Sequence, residues 1–287
     1  MSAAKIIGLA INLSMALMVF SVAMRAGLAR TRITFGSPGL LARSLLSMYV
    51  VMPAIAVLVA LTFDLSQSLK VALLLLALSP VPPVLPGKQM KVGGSAEFVL
   101  GLLVVAAAAA IVVVPAGVAI IGRLFGRELD VPYGVVIPVV ATSVLLPVAA
   151  GLIVGRLAPG FAGKAATPLS MFALVLLLLA LLPLLYAGRH ALAAQLGHYN
   201  VLAIVLFTLT GLAVGHLLGG PAQDDRSALA LATATRHPGV ALAVLGTIAP
   251  DDKAPAVIVL LYLLVGMVAA APYVAWRRRL TRADSQE

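Results

Sequence analysis

The sequence predicts an all-α polytopic membrane protein of nine transmembrane helices. Three observations carry that prediction. The chain is 62% hydrophobic and only 10% charged, whereas a soluble domain carries about 25% charged residues. Apolar stretches of about 20 residues, enough to cross the hydrocarbon core of a bilayer, recur from end to end. Two of these stretches are interrupted by proline at corresponding places, a pattern of helices that start, stop and start again.

The first span, 4–24, contains Asn12, Ser14 and Ser21 and runs into a basic loop with Arg25, Arg30 and Arg32. Its apolar part is about twice the length of a signal-peptide core and lacks a small-residue cleavage site, so it reads as a retained helix. A second span covers 44–63. The third, 68–93, is broken by SPVPPVLPG. The fourth, 97–122, follows Gly93-Gly94-Ser95 with Glu97 in its first turn, an N-cap pattern. Spans five to seven fall at 132–155, 166–187 and 199–219. The eighth, 226–249, is broken at LATATRHPGV, and the ninth, 254–276, ends in the anchor RRRLTR. Pro138, Pro147, Pro183 and Pro272 read as simple kinks, which membrane helices tolerate.

Pro80, Pro82, Pro83 and Pro86 lie close together, and each removes a backbone donor and clashes with the preceding turn. The Pro86-Gly87 pair recurs as Pro238-Gly239, 152 residues later. The same offset carries spans one to four onto spans six to nine, loosely for the first pair and closely for the rest. Matching spans are five apart, so each pair crosses in opposite directions. The chain therefore divides into a first repeat, 1–125, an extra span and linker, 126–160, a second, inverted repeat, 161–280, and a tail, 281–287. Together these form one transmembrane domain over 1–287. Unwound backbone costs several kcal/mol per unsatisfied group in lipid and survives only inside protein or beside a wet cavity. The two discontinuous helices are expected to cross near the midplane and to hold a binding site open, with freed carbonyls facing cations and helix N-termini facing anions.

The 20 Lys and Arg are unevenly shared. Thirteen fall on the side of the loops after odd-numbered spans and of the C-terminal tail, and six on the other; Arg236 belongs to neither. The positive-inside rule then sets the N-terminus outside and the C-terminus in the cytoplasm. The formal charge of +10 is thus an orientation signal, and no nucleic-acid partner is expected. With no cysteine, and with His190, His198 and His216 out of ligand spacing, neither a metal site nor a cofactor is expected.

At the two breaks the chain resembles the bile acid:sodium symporter family, within the wider bile-arsenite-riboflavin transporter superfamily that also includes auxin-efflux-type carriers. SMALMVFSVAMR and the basic loop after it look like the family's first helix. The resemblance implies a bacterial-type member in the inner membrane. It implies a core domain of spans 3, 4, 8 and 9 with 2 and 7, and a panel domain of spans 1, 5 and 6, with substrate between them. The motifs depart from the family at its sodium ligands. In sodium-coupled members the first crossover reads roughly Pro-Gly-Gly-Thr-Ala-Ser-Asn, where this chain has Pro80-Val81-Pro82-Pro83-Val84-Leu85-Pro86. In the second, the family's glutamate, glutamine and asparagine fall on Ala232, Arg236 and His237. The cysteine of arsenite carriers falls on Ser79.

Arg236 is the foremost candidate. An arginine near the bilayer centre costs about 2.5–3.5 kcal/mol even on lenient scales. It is either held structurally, by Glu97 or a cage of carbonyls, or it offers a bidentate fork to a substrate carboxylate. A fixed positive charge there could replace a bound cation. His237 is either a proton relay or a neutral hydrogen-bonding group at the break. Thr233 and Thr235 either satisfy freed backbone or touch ligand. Lys88 and Gln89 are expected at the cytoplasmic mouth, Lys91 at the interface. The expected function is secondary transport of a small organic anion by alternating access, with the bilayer as surroundings and a proton as candidate coupling ion. A sodium-coupled symporter and a channel or facilitator stand as alternatives. An intramembrane enzyme is disfavoured, for the chain lacks His-Glu-x-x-His, Gly-x-Ser-x-Gly and any pair of intramembrane aspartates.

Overall fold

A computed structural model describes residues 3–28, 38–197 and 199–284. The chain is all-helical, at 85% helix, with no strand among these residues. Arg30, Arg32 and His198, singled out in the sequence, lie outside the described residues, as does the end of the tail.

Thirteen α-helices are described. They are α1 Ala3–Leu28, α2 Pro38–Leu46, α3 Met52–Thr62, α4 Gln67–Leu78, α5 Pro86–Met90, α6 Ala96–Leu124, α7 Tyr133–Val140, α8 Leu146–Leu157, α9 Pro159–Ala194, α10 Asn200–Leu218, α11 Gln223–Ala234, α12 Pro238–Ile248 and α13 Ala254–Asp284. A π-helical turn, Ser47–Val51, joins α2 to α3, and another, Ala141–Leu145, joins α7 to α8. Among the described residues eight helices are long and apolar enough to cross a membrane. The expected third span does not add a ninth of that length. It consists of the 12-residue α4 and the 5-residue α5, because three prolines between them halt the helix.

Helix starts follow local chemistry. Ser66 accepts from the Leu69 N–H at 3.3 Å and Ser95 from the Phe98 N–H at 3.2 Å, each satisfying one of the orphan donors of α4 and α6. Only Ala158 separates α8 from α9. Pro159 sits in the first turn of α9, where its missing N–H costs nothing and its fixed φ favours the helix.

Glycines set two close approaches. On α8, Gly151 and Gly155 face α1: a Cβ on Gly151 would stand 2.5 Å from the Phe20 carbonyl, and one on Gly27 would stand 3.1 Å from the Gly155 Cα. Along α10 and its C-cap, Gly211, Gly215 and Gly219 lie four residues apart, against Ala234, Ala230 and Arg226 of α11 in turn. As one number rises the other falls, so α10 and α11 run antiparallel with backbones in contact. This small-residue packing holds membrane helices together where lipid removes the hydrophobic drive. It also fixes α11 up to its last residue, where the second break begins.

The molecule gathers in two groups. α1 packs along both α8 and α9. The larger group includes α3, α4, α10, α11 and α13, with α12 packed on α4, α7 and α13. α9 turns a broad apolar flank outward, including Met171, Phe172, Leu179 and Leu182.

Candidate functional site: the meeting of two broken helices

The first break runs from Ser79 to Leu85 and the second from Thr235 to His237. They touch directly: the His237 N–H donates to the Pro80 carbonyl at 2.9 Å. The meeting point is therefore Pro80, six residues before the Pro86-Gly87 pair that marked the repeat. Pro86 and Gly87 instead open α5, and Pro238 and Gly239 open α12.

Proline decides which carbonyls are free. A helical carbonyl is satisfied by the N–H four residues on, or five in a π turn. In the Ser47–Val51 turn the Met52 N–H donates to Ser47, and the next donor for Met48 would come from Pro53, which has none. Ser79 looks to Pro82 and Pro83, three and four residues on, and finds no N–H at either. Ala234 looks to Pro238 and meets the same lack. Each of these three carbonyls takes a side-chain donor from elsewhere. Arg236 Nη2 donates to Met48 O at 3.1 Å and Arg236 Nη1 to Ser79 O at 3.3 Å. The Tyr262 hydroxyl donates to Ala234 O.

Arg236 is fully buried. Among the described residues its hydrogen-bond acceptors are these two carbonyls, and its Nε has no partner. Two carbonyls hold the guanidinium, the kind of partner that its structural alternative would supply. The C-terminal end of α4 supplies the negative pole of a helix dipole, which favours the guanidinium over an unfilled break.

His237, also buried, works in the other direction. Its Nδ1 accepts from the Gly239 N–H at 3.1 Å, capping α12. The imidazole proton then belongs on Nε2, which lies 3.2 Å from Ser143 Oγ. Ser143 already donates to the Val139 carbonyl, so it is the acceptor from His237. Thr233, buried, shares a 2.9 Å hydrogen bond with Ser47 Oγ. Ser47 donates to Ser44 O, which makes Thr233 the donor. Thr235 is partly buried and ends α11.

The structure thus brings Arg236, His237, Thr233 and Thr235 to one crossing and leaves Lys88 and Gln89 apart from it. Gln89 is buried against α11, its Nε2 donating to Ala228 O at 2.7 Å. Lys88, one residue back on α5, is exposed. Two apolar cavities, of about 440 and 630 Å³, are lined in part by α3, and neither has Arg236, His237, Thr233 or Thr235 in its wall. Met48, Ser79, Ser143 and Tyr262 were not foreseen as partners. Met-Pro at 52–53 and Leu-Pro at 146–147, inside apolar spans, were the available signals.

Residues 12–195 match the model of the Sodium Bile acid symporter family. That is 184 of the 287 residues, and it covers the first break but stops before the second. Comparison with curated proteins returns no match.

Proposed function

The chain belongs to the sodium bile acid symporter family, and on that premise we propose that it carries a small organic anion across the membrane by alternating access at its two broken helices, without requiring sodium. Spans 1–4 and 6–9 form the inverted repeat, and the third span is the pair α4 and α5, which brings the eight long helices to nine crossings. The group of α1, α8 and α9 is the panel, and the broken helices belong to the core. The C-terminus faces the cytoplasm.

The observation that carries this reading is the guanidinium of Arg236 on the carbonyls of Met48 and Ser79. Sodium would need several oxygen ligands at such a crossing. Two of the oxygens released there are already held by a cation that cannot leave. A sodium ion about 5 Å from that charge, at an effective dielectric of about 20, is repelled by roughly 3 kcal/mol, about two decades in affinity. The tethered charge therefore stands in for the coupling ion and keeps the crossing positive, which suits an anionic substrate.

The use of His237 Nδ1 as a helix cap favours facilitated transport over a proton relay through that ring. The family's name supports the sodium-coupled alternative, and one experiment separates the two. Uptake of a panel of organic acids into proteoliposomes is measured with sodium replaced by choline, at fixed pH and membrane potential. Uptake that persists supports the proposal. Loss of most uptake establishes sodium coupling and overturns it. Saturation and counterflow in the same vesicles distinguish a carrier from a channel.

A further inference from the structure

The fifth span is interrupted by the π-helical turn Ala141–Leu145, and its two halves keep different company. α8 packs on α1 and α9, while α7 packs on α6 and on α12. The π turn itself lies against α1 and α6. Here too a proline frees the backbone: the Leu146 N–H goes to Ala141 O, and the next donor for Thr142 O would come from Pro147, which has none. π turns of this kind bend helices and often sit at functional places. Ser143 occupies the middle of the turn, 2% exposed, and reaches His237, 1% exposed.

This contact differs in kind from the others at the crossing. The partners of Arg236, Thr233 and Tyr262 all lie within the larger helix group, and they close carbonyls or hydroxyls that folding leaves open. Ser143 belongs to the π turn of the fifth span, which runs on into α8 and the α1 and α9 group. Its hydroxyl is already satisfied as a donor to Val139 O. The Nε2–H of His237, by contrast, has Ser143 Oγ as its acceptor among the described residues. A neutral hydroxyl at 3.2 Å is a modest acceptor. A carboxylate would bind the same N–H about twice as strongly. Bending at the π turn would remove Ser143 from that N–H without disturbing the cap on α12.

We propose that the His237 Nε2–H is the donor that recognises the transported anion, and that Ser143 Oγ holds the anion's place in the closed form. This rests on the transport reading above and deepens it. The substrate class is set by the donor: a molecule with a carboxylate or similar anionic oxygen, admitted when the fifth span swings its serine aside. The swap is self-limiting. With anion absent, the N–H returns to Ser143 and the path closes, so the buried donor is never left without an acceptor.

The absence of cysteine in the chain makes the test direct. Ser143→Cys is introduced alone, and the protein in vesicles is treated with a water-soluble maleimide. Leu76→Cys, equally buried in α4, is the packing control. The proposal expects Cys at 143 to react at least tenfold faster than Cys at 76. Equal rates mean that the Ser143 contact is fixed packing, and the proposal falls. Acetate, succinate, benzoate and cholate are then tested for protection, with choline and glucose as non-anionic controls. Protection by at least one acid and by neither control is expected. Protection by none of the acids overturns the assignment of His237 as the anion's donor. A third measurement, in the Leu76→Cys protein with Ser143 intact, is uptake of the same four acids. If an acid is carried yet fails to protect, the His237 assignment fails and the transport reading stands. If the position is reactive and protected but no acid crosses, the transport reading fails and the anion site stands.

Discussion

Arg236 Nη2 lies 3.1 Å from the carbonyl of Met48, 188 residues earlier in the chain, and that oxygen is available because Pro53 has no N–H to offer it. The same logic joins Arg236 to Ser79 and Tyr262 to Ala234. Prolines in this protein do more than stop helices. They release carbonyls, and at Met48, Ser79 and Ala234 a buried side chain from elsewhere in the chain collects each one.

If the cage is built for a cation, emptying it should create a cation site. Arg236→Ala removes the guanidinium and leaves Met48 O and Ser79 O facing a void. Free guanidinium at a few millimolar, far below denaturing levels, should then raise the unfolding temperature of the variant. At ten times its dissociation constant the gain is about 1.4 kcal/mol by mass action. The wild-type protein, whose cage is full, should not respond. Thermal unfolding followed by tryptophan fluorescence reads both, and an equal response of the two proteins would sink the idea.

The glycine ladder predicts a contrast within one residue type. A Cβ on Gly215 would stand 2.5 Å from the Leu229 carbonyl and 2.6 Å from the Ala230 Cα, all backbone. Gly215→Ala should therefore cost about 1–3 kcal/mol, the usual price of overpacking. Gly246 in α12 has nothing within 4 Å of a built Cβ. Gly246→Ala should be neutral or stabilising by up to about 1 kcal/mol, through the unfolded chain. Chemical denaturation of both variants in the same detergent decides it. Equal midpoints would mean that the α10–α11 contact is looser than the geometry says.

Much of this was legible beforehand, and the limit has a physical cause. Composition and apolar run lengths pointed to the eight long apolar helices, since the bilayer sets that length directly. The proline clusters located both breaks, because proline acts on its own backbone. What a freed carbonyl then meets is decided by packing between distant segments. Met48, Ser79 and Arg236 are neighbours only in space, and one sequence carries no pairwise signal for that. The partner of Gln89 was out of reach for a related reason: as a polar residue after a break it reads as a mouth residue, and its donation to Ala228 O of α11 is a contact between distant segments. The role of Pro147 was half-read, as a kink without the π turn that precedes it.

Tyr262 offers a test on a side chain that is itself neutral. Its ring is buried, edge-on to Phe207 at 6.3 Å between centroids, and its hydroxyl serves the Ala234 carbonyl that Pro238 leaves open. Tyr262→Phe keeps the ring and strands the carbonyl. The cost should be about 1–3 kcal/mol, that of one buried polar group left unsatisfied. Adding Pro238→Ala returns an N–H to α12 and should recover part of that loss. A Tyr262→Phe protein as stable as the wild type would show that the carbonyl finds another donor.

The sharpest prediction concerns sign. Pro53→Ala restores an N–H that can close Met48 O within its own π turn. In the wild-type background that N–H competes with the guanidinium of Arg236. The competition leaves a buried charge with one acceptor fewer, so Pro53→Ala should destabilise. In an Arg236→Met background the charge is gone and Met48 O is an orphan. There the same substitution supplies the missing donor and should stabilise. Residues that share an interaction typically depart from additivity by about 0.5–3 kcal/mol, and here the departure should be large enough to reverse the direction. Pro272→Ala, inside α13 and with no known part in the cage, is the control and should add to Arg236→Met within about 0.5 kcal/mol. The four proteins of the cycle and the control are compared by unfolding free energy. If Pro53→Ala shifts stability by the same amount and in the same direction in both backgrounds, Pro53 is only a bend in the second span. The link from proline to freed carbonyl to tethered cation would then be broken at its first step.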